Sequence, residues 1–166
     1  LAQDNGYAEK DPTADIEGFD ACRKVCILAS LAFGKHVYPN QVEAEGITNI
    51  TLEDVSYISS VGGVIKLLGQ IKYINDDKIA AFVSPAVVFH GSQLASVNGV
   101  FNAILVRGDA VGDVCFYGQG AGKLATASAV VADMVDSAVH VERRINFGWS
   151  AGNEDYVVDE KATIEM

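Results

Sequence analysis

Four acidic residues and one lysine that could take part in binding or acid–base chemistry are clustered near the start of the sequence: Glu9, Asp11, Asp15, Asp20 and Lys24. Asp20 and Lys24 are four positions apart, so they would share one face of a helix. Carboxylates can hold a cationic group such as an α-ammonium, and a lysine kept charged by nearby acids can donate a proton to a developing alkoxide. The alternative is a solvated acidic loop beside a surface ion pair, which contributes little to stability. Residue types alone leave both interpretations open.

A second candidate is the glycine-rich run at residues 118–122, Gly-Gln-Gly-Ala-Gly, between a predicted strand and a predicted helix. Loops of this kind bring the backbone close to a phosphate or a ribose. The run is not a complete G-x-G-x-x-G, and no acidic residue follows about 20 positions later at a strand end. A ligand loop and a tight structural turn therefore both remain open.

The cysteines argue for a reducing compartment. Their number is odd and small, with Cys22, Cys26 and Cys115, so we predict no disulfide framework and a cytoplasmic location. Cys22 and Cys26 are four apart on a predicted helix and could be taken for a metal pair. None of the three histidines has ligand spacing to them, so two small, half-buried helix residues are favoured and no metal site is predicted.

Length and charge narrow the class of protein. The 166 residues suffice for one domain with a sizeable core, and no apolar run is long enough for a membrane-spanning helix. A net charge of −10 argues against nucleic acid and anionic membranes as partners. The chain begins without methionine or a basic segment, so we expect no signal peptide and interpret it as part of a longer protein.

The hydrophobic pattern predicts an α/β (α+β-like) fold in which a mixed, largely antiparallel sheet has helices packed on one face. The order of elements is not the strict β-α alternation of a parallel nucleotide-binding sheet. Asp15 is the predicted N-cap of the first long helix and Gly34 its stop, while Thr51 and Asp54 form a capping box. Helices are predicted at 1–5, 16–33, 51–58 and 123–139, and strands at 64–73, 78–88, 100–107 and 111–117.

The first 24 residues closely resemble the signature of homoserine dehydrogenases. The matching positions are Ala2, the run Gly6-Tyr7-Ala8-Glu9-Lys10-Asp11-Pro12, Asp15-Ile16, Gly18, Asp20 and Lys24. The resemblance continues to about residue 140. It runs through Ala32-Phe33-Gly34, Glu45-Gly46-Ile47, Ile65-Lys66-Leu67-Leu68, Asn102-Ala103, the glycine loop and Thr126-Ala127-Ser128-Ala129-Val130. Members often carry proline where Gln119 and Ala125 stand, which implies an altered stiffness of the loop.

Homoserine dehydrogenases interconvert L-aspartate 4-semialdehyde and L-homoserine with NADPH or NADH, on the path to threonine and methionine. The resemblance implies that Lys24 is the catalytic proton donor to the aldehyde oxygen. It implies a substrate site made by Glu9 and Asp20, which bind the ammonium end, with Tyr7 and Asp15 lining or supporting it. On the cofactor side it implies Gly6, Glu9, Gly120 and Gly122 near the nicotinamide end.

The resemblance also implies a domain organisation. We expect residues 1–140 to be a catalytic and dimerisation domain, and the polar residues 141–166 to be a tail or linker towards a C-terminal region. The family's nucleotide-binding domain, which holds most of the NADP or NAD and a second active-site lysine, is expected before Leu1. The chain alone is therefore expected to be inactive. The strands between 64 and 117 resemble the family's dimerisation region and imply a homodimer.

Two alternatives remain. One is a non-catalytic, dimerising α/β module that keeps the motif without the chemistry. The other is a relative that acts on another semialdehyde or on a phosphate ester. The Glu9 and Asp20 pair favours a substrate with a free ammonium, and the lack of an arginine cluster argues against acyl-phosphate chemistry. Cys22 and Cys26, beside Arg23 and Lys24, keep that alternative open.

Overall fold

The computed structural model describes residues 11–120, 122–142 and 148–158. The chain divides into two compact units, which we treat separately. The described part of the larger unit consists of Pro12–Val61, Ile65–Val87 and residues 148–158. The described part of the smaller unit consists of Asp11, Gly62–Val64 and residues 88–142 without 121.

Three helices belong to the larger unit: α1 (Thr13–Ile16), α2 (Phe19–Phe33) and α3 (Leu52–Ser60). Helix α2 ends at Gly34, whose φ of 70° is left-handed, as the sequence predicts for a helix stop. Helix α3 begins with the predicted capping box: the N–H of Asp54 donates to the Thr51 hydroxyl, and the carboxylate of Asp54 accepts from the N–H of Thr51.

The start of the first long helix differs from the prediction. Asp15 is not its N-cap, because Asp15 lies inside the short helix α1. The chain then turns at Gly18, whose φ of 78° is left-handed, and α2 begins at Phe19. The apolar pattern runs on through this corner, so periodicity could not locate the break.

The sheet of the larger unit is built around a hairpin. Its strands are β1 (Glu43–Ala44), β2 (Gly63–Asn75), β3 (Lys78–Phe89) and β6 (Val157–Val158). Asp76 and Asp77 form the predicted turn between β2 and β3, which makes this pair antiparallel. The short strands β1 and β6 run parallel to β3 and pair with it at Phe82–Val83 and Ile79–Ala80. The sheet is therefore mixed.

Helix α2 packs on one face of this sheet. Buried helix residues and alternate residues of β3 form one cluster, which contains Cys22, Val25, Cys26, Ala29, Ile79, Ala81 and Val83. Gly69 of β2 allows the helix to approach closely, because a Cβ at this position would collide with the side chain of Val25. The predicted architecture, a mixed sheet with helical packing, is confirmed here.

Residues 148–158 differ from the expected linker. Tyr156 is only 2 % exposed and belongs to the core cluster. The N–H of Ser150 donates to the Gly34 carbonyl at 2.8 Å, and the Ser150 carbonyl accepts from the N–H of His36 at 2.9 Å. The amide of Gln41 donates to the carbonyl of Asn153 at 2.7 Å. This stretch, called the strap below, is an integral part of the larger unit.

The smaller unit contains an antiparallel hairpin and a helix: β4 (Phe101–Gly108), β5 (Gly112–Gln119) and α4 (Lys123–Val139). The bounds of α4 are those predicted from the sequence. The four long predicted strands thus pair as two hairpins in two separate sheets. Asp109 opens the turn of this second hairpin, where Gly108 faces Gly112 across the strands.

Candidate functional site

Helix α2 places Asp20 and Lys24 on one face, one turn apart. The Nζ atom of Lys24 lies 2.7 Å from the carboxylate of Asp20. Both side chains remain accessible, with 65 % of Lys24 and 44 % of Asp20 exposed. A small polar molecule can therefore reach both groups from solvent. The structure brings together the two residues whose spacing indicated acid–base chemistry.

Gly18 determines where α2 begins and so where this pair lies. Its positive φ turns the chain, and its carbonyl accepts the N–H of Cys22 at 2.9 Å to start the helix. A Cβ at position 18 would lie 3.1 Å from Cγ1 of Val83, so the corner rests directly on β3. Asp20 consequently falls in the first turn of α2, where the positive end of the helix dipole favours a carboxylate.

A second close approach fixes α1 beside this corner. The N–H of Ile47 donates to the carbonyl of Ile16 at 2.8 Å, and the N–H of Glu45 donates to the carbonyl of Val83 at 2.8 Å. A Cβ on Gly46 would collide with the carbonyl oxygen of Ile16. The loop that contains Gly46 is thereby held between α1 and the sheet. The resemblance includes this loop, but sequence reasoning assigned it no role.

Not all predicted substrate-site residues join the ion pair. Asp15 is exposed on α1, and within the described residues it takes no part in the contact between Asp20 and Lys24. Tyr7 and Glu9 lie outside the described residues, as does Gly6 of the predicted cofactor side. Their roles stay predictions.

The glycine loop belongs to the smaller unit and connects β5 to α4. The N–H of Gly120 donates to the carbonyl of Val100 at 3.1 Å, and a Cβ at position 120 would collide with the side chain of Asn102. Gly122 has a φ of 112° and precedes the first turn of α4, where its carbonyl accepts the N–H of Thr126 at 3.1 Å. Asn102 is a packing partner of the loop that sequence reasoning did not identify.

The end of this loop next to α4 has space beside its backbone. Among the described residues, no atom lies within 4 Å of a Cβ placed on Gly122, so these residues leave room for a ligand beside the backbone. The first N–H groups of a helix have no partner within the helix, so those of the first turn of α4 are suited to polar or anionic acceptors. The part of Gly120 and Gly122 in binding the nicotinamide cofactor stays a prediction.

The described residues contain neither a metal-binding cluster nor a membrane-spanning helix. Residues 11–120, 122–142 and 148–158 contain no group of three or more histidine, cysteine or acidic side chains placed to hold a metal ion. Over the same ranges, no helix combines the length and the apolar character needed to cross a membrane.

Comparison with known proteins identifies the family. A family model described as homoserine dehydrogenase matches residues 1–135. The chain belongs to the homoserine dehydrogenase family. A homoserine dehydrogenase of Mycobacterium tuberculosis is 48 % identical over 137 residues, which cover 80 % of this chain and 31 % of that protein.

Solved structures of the family share the fold. The homoserine dehydrogenase of Thiobacillus denitrificans aligns with a TM-score of 0.78 at 42 % identity, over 95 % of this chain and 37 % of that one. A hyperthermophilic archaeal homoserine dehydrogenase in complex with NADPH aligns with a TM-score of 0.61 at 27 % identity, over 83 % of this chain and 38 % of that one. The chain spans about a third of the length of these relatives.

Proposed function

We propose that this chain carries the substrate-binding and proton-transfer part of a homoserine dehydrogenase that interconverts L-homoserine and L-aspartate 4-semialdehyde. The proposal rests chiefly on the Asp20–Lys24 pair, an acid and a base held 2.7 Å apart on one helix in a chain of this family. The pathway would be the synthesis of threonine and methionine. The three cysteines are free thiols, which agrees with a cytoplasmic enzyme.

Asp20 binds the substrate's ammonium group in this mechanism. Its carboxylate now holds the ammonium of Lys24, so it already occupies a geometry that suits a cation. Exposed ion pairs of this kind contribute little stability, so an incoming ammonium can replace Lys24 at Asp20 at small cost. Binding of the substrate at Asp20 thereby releases Lys24 for the carbonyl end.

Lys24 handles the proton at the reacting oxygen. In the reducing direction its Nζ donates a proton to the aldehyde oxygen, on which negative charge develops. In the oxidising direction the neutral amine accepts the proton of the homoserine hydroxyl. Because Asp20 and Lys24 project from successive turns of α2, the helix itself sets the distance between the two ends of the substrate.

Other predicted residues complete the substrate site in the proposal. Glu9 shares the ammonium with Asp20, while Tyr7 and Asp15 line or support the pocket. Asp15 is exposed on α1, whose carbonyl at Ile16 is anchored by the N–H of Ile47. This anchoring would keep Asp15 in a constant position while substrate exchanges.

Gly120 and Gly122 would hold part of the nicotinamide cofactor, together with Gly6 and Glu9. When bound, NAD(P)H supplies the hydride that reduces the carbonyl carbon. Gly122 provides a backbone surface without a side chain, and the first turn of α4 provides N–H donors. The rest of the cofactor would be bound by a nucleotide-binding domain, without which we expect no turnover.

A homodimer is the proposed assembly, because the β4–β5 hairpin carries apolar side chains on both faces. On one face Ile104 and Phe116 are opposite each other and are 44 % and 62 % exposed. On the other face the rings of Phe101 and Tyr117 stack at 4.9 Å. A two-stranded hairpin is marginally stable in water without further cover. A second copy of the chain would supply that cover.

The test is an assay of L-homoserine oxidation by the full-length protein with NAD⁺ or NADP⁺. Lys24→Ala is expected to lower kcat by about 10²-fold or more, since a positioned acid–base group contributes this much. Arg23→Ala is the matched control, because Arg23 is an exposed cation next to Lys24 on the same helix. If the wild type is active and Lys24→Ala has the same kcat, Lys24 is not the catalytic proton donor. No activity with homoserine and either cofactor would favour the non-catalytic, dimerising module.

A further inference from the structure

The mechanism makes no use of two buried thiols on the helix that carries Asp20 and Lys24. Cys22 and Cys26 are each 5 % exposed, and both are free. They are one turn apart on the inner face of α2, a spacing that brings Cβ atoms to about 5–6 Å. Both residues belong to the same buried core cluster. Two thiols one helical turn apart on the same buried face offer a pair of sulfur ligands with a short separation.

The Cys26 thiol is shielded from ordinary thiol reagents. Burial, and secondarily the neighbouring Cys22, raises the pKa of the Cys26 thiol to about 12. The thiolate is the nucleophile in alkylation and oxidation, so a protonated thiol reacts slowly. A ligand that displaces the protons of both thiols is favoured over a reagent that needs a free thiolate. The reason is that such a ligand forms two bonds to sulfur at one site.

A cleft leads from solvent to Cys22. Its volume is about 230 Å³, and its lining residues are Phe19, Cys22, Arg23, Pro39, Val42 and Ala44. The thiol of Cys22 faces the carbonyl of Pro39 at 3.8 Å. Most of these side chains are apolar, so the cleft suits a small aromatic or aliphatic group attached to a sulfur-seeking atom. Cys26 lies one helical turn further along α2.

We propose that Cys22 and Cys26 form a binding site for thiophilic ligands that take two thiolates, with trivalent organoarsenicals as the matching class. With an arsine oxide R–As=O, two S–H bonds and the As=O bond break, and two As–S bonds form. The two protons leave with the oxygen as one water molecule. Arsenic stays trivalent and neither sulfur is oxidised, so no further reactant is needed. The R group occupies the cleft beside Phe19 and Val42.

Occupation of this site also has a consequence for catalysis, which rests on the proposed function. Cys22 lies between Asp20 and Lys24 on α2, and a bridge from Cys22 to Cys26 spans the same turn as Lys24. An arsenic atom bonded to both sulfurs would hold this helical turn in one fixed geometry. We therefore expect the bound ligand to lower the activity of the full-length enzyme.

The test uses phenylarsine oxide with the full-length protein and its Cys22→Ser, Cys26→Ser and Cys115→Ser variants. Intact-protein mass spectrometry and peptide mapping should place one phenylarsenic group across residues 22 and 26 in the wild type and in Cys115→Ser. Each of the other two variants should bind at least tenfold more weakly. If the buried hydroxyl of the Cys26→Ser variant prevents folding, Cys26→Ala replaces it in this test. Release by a dithiol, but not by a monothiol at equal thiol concentration, is expected for a two-sulfur site.

Binding that is equally tight in Cys22→Ser or Cys26→Ala, or lost in Cys115→Ser, would overturn the proposal. This readout does not depend on turnover. If arsenic bridges residues 22 and 26 in a protein without homoserine activity, the site stands and the proposed function fails. If activity is present but no bridge forms, the proposed function stands and the thiol site fails.

Discussion

Gly18 and Val83 are in such close contact that a Cβ on Gly18 would lie 3.1 Å from Cγ1 of Val83. Gly18 also has a φ of 78°, which is strained for any residue with a side chain. This contact joins the start of α2 to the middle of β3. The position of the Asp20–Lys24 pair therefore depends on a glycine that has no chemistry of its own.

Gly18→Ala should lower the free energy of unfolding, measured with urea, by more than the left-handed φ alone explains. The backbone strain costs about 1–2 kcal/mol, and crowding at Val83 adds to it. Gly99→Ala is the matched control, because Gly99 has a φ of 64° and a Cβ there would meet no atom of the described residues within 4 Å. Equal losses in the two variants would mean that the Val83 contact is unimportant.

Asp20→Asn is expected to raise the KM for L-homoserine by about tenfold or more, because a charged hydrogen bond to the ammonium is worth about 1.5–3 kcal/mol. The effect on kcat should be smaller than that of Lys24→Ala, since the proposed mechanism has Asp20 bind the substrate's ammonium and not the reacting oxygen. Steady-state kinetics separate the two parameters.

The control for this variant is Asp77→Asn. Asp77 also pairs with a lysine, at 3.5 Å from Nζ of Lys35, but it lies in the turn between β2 and β3. Its replacement should leave KM unchanged. If Asp20→Asn changes kcat more than KM, the role of Asp20 lies in the proton-transfer step and not in substrate binding.

Local signals allowed much of the fold to be predicted from the sequence. The capping box at Thr51, the turn at Asp76–Asp77 and the limits of α4 each depend on a few adjacent residues. The paired strands β1 and β6 were missed, since two residues are too few to show a period. The strap looked like a linker because its stability comes from distant partners, as when Tyr156 enters the core.

For the site, the sequence identified the residues that could do chemistry but not those that support them. The spacing of Asp20 and Lys24 predicts their contact, because a helix repeats every 3.6 residues. No local pattern predicts that Gly46 touches Ile16 or that Gly120 touches Asn102. Such contacts depend on how separate segments pack together, which a single sequence does not reveal.

The capping box of α3 should make stability depend on pH in the acid range. The side-chain and backbone donors of Thr51 lower the pKa of Asp54 below its ordinary value of 3.8. A carboxyl with a lowered folded pKa stabilises the protein above its unfolded pKa, and that contribution is lost as pH falls through the folded pKa. Asp54→Asn should therefore be less stable than the wild type at neutral pH, with a difference that shrinks below about pH 4.

Urea unfolding of both proteins at a series of pH values measures this difference. Asp109→Asn is a suitable comparison, because the carboxylate of Asp109 accepts only from the adjacent N–H of Ala110 at 2.7 Å among the bonds described for it. A stability difference for Asp54→Asn that stays constant from neutral to acid pH would contradict the assigned role of the ionised carboxylate.

Gly152→Ala should loosen the strap from the end of α2. A Cβ at position 152 would collide with the carbonyl oxygen of His36, so the strap must move away or distort. We expect a loss of roughly 1–3 kcal/mol in the free energy of unfolding, as for other overpacked positions. The fluorescence of Trp149, the only tryptophan in this sequence, should change as well, because its ring lies 5.8 Å from the imidazole of His36. Gly91→Ala is the control, since in the part of the chain that the structure describes no atom lies within 4 Å of a Cβ placed at position 91. If the two alanine variants have the same stability and the same Trp149 emission, the strap does not bear on His36 in solution.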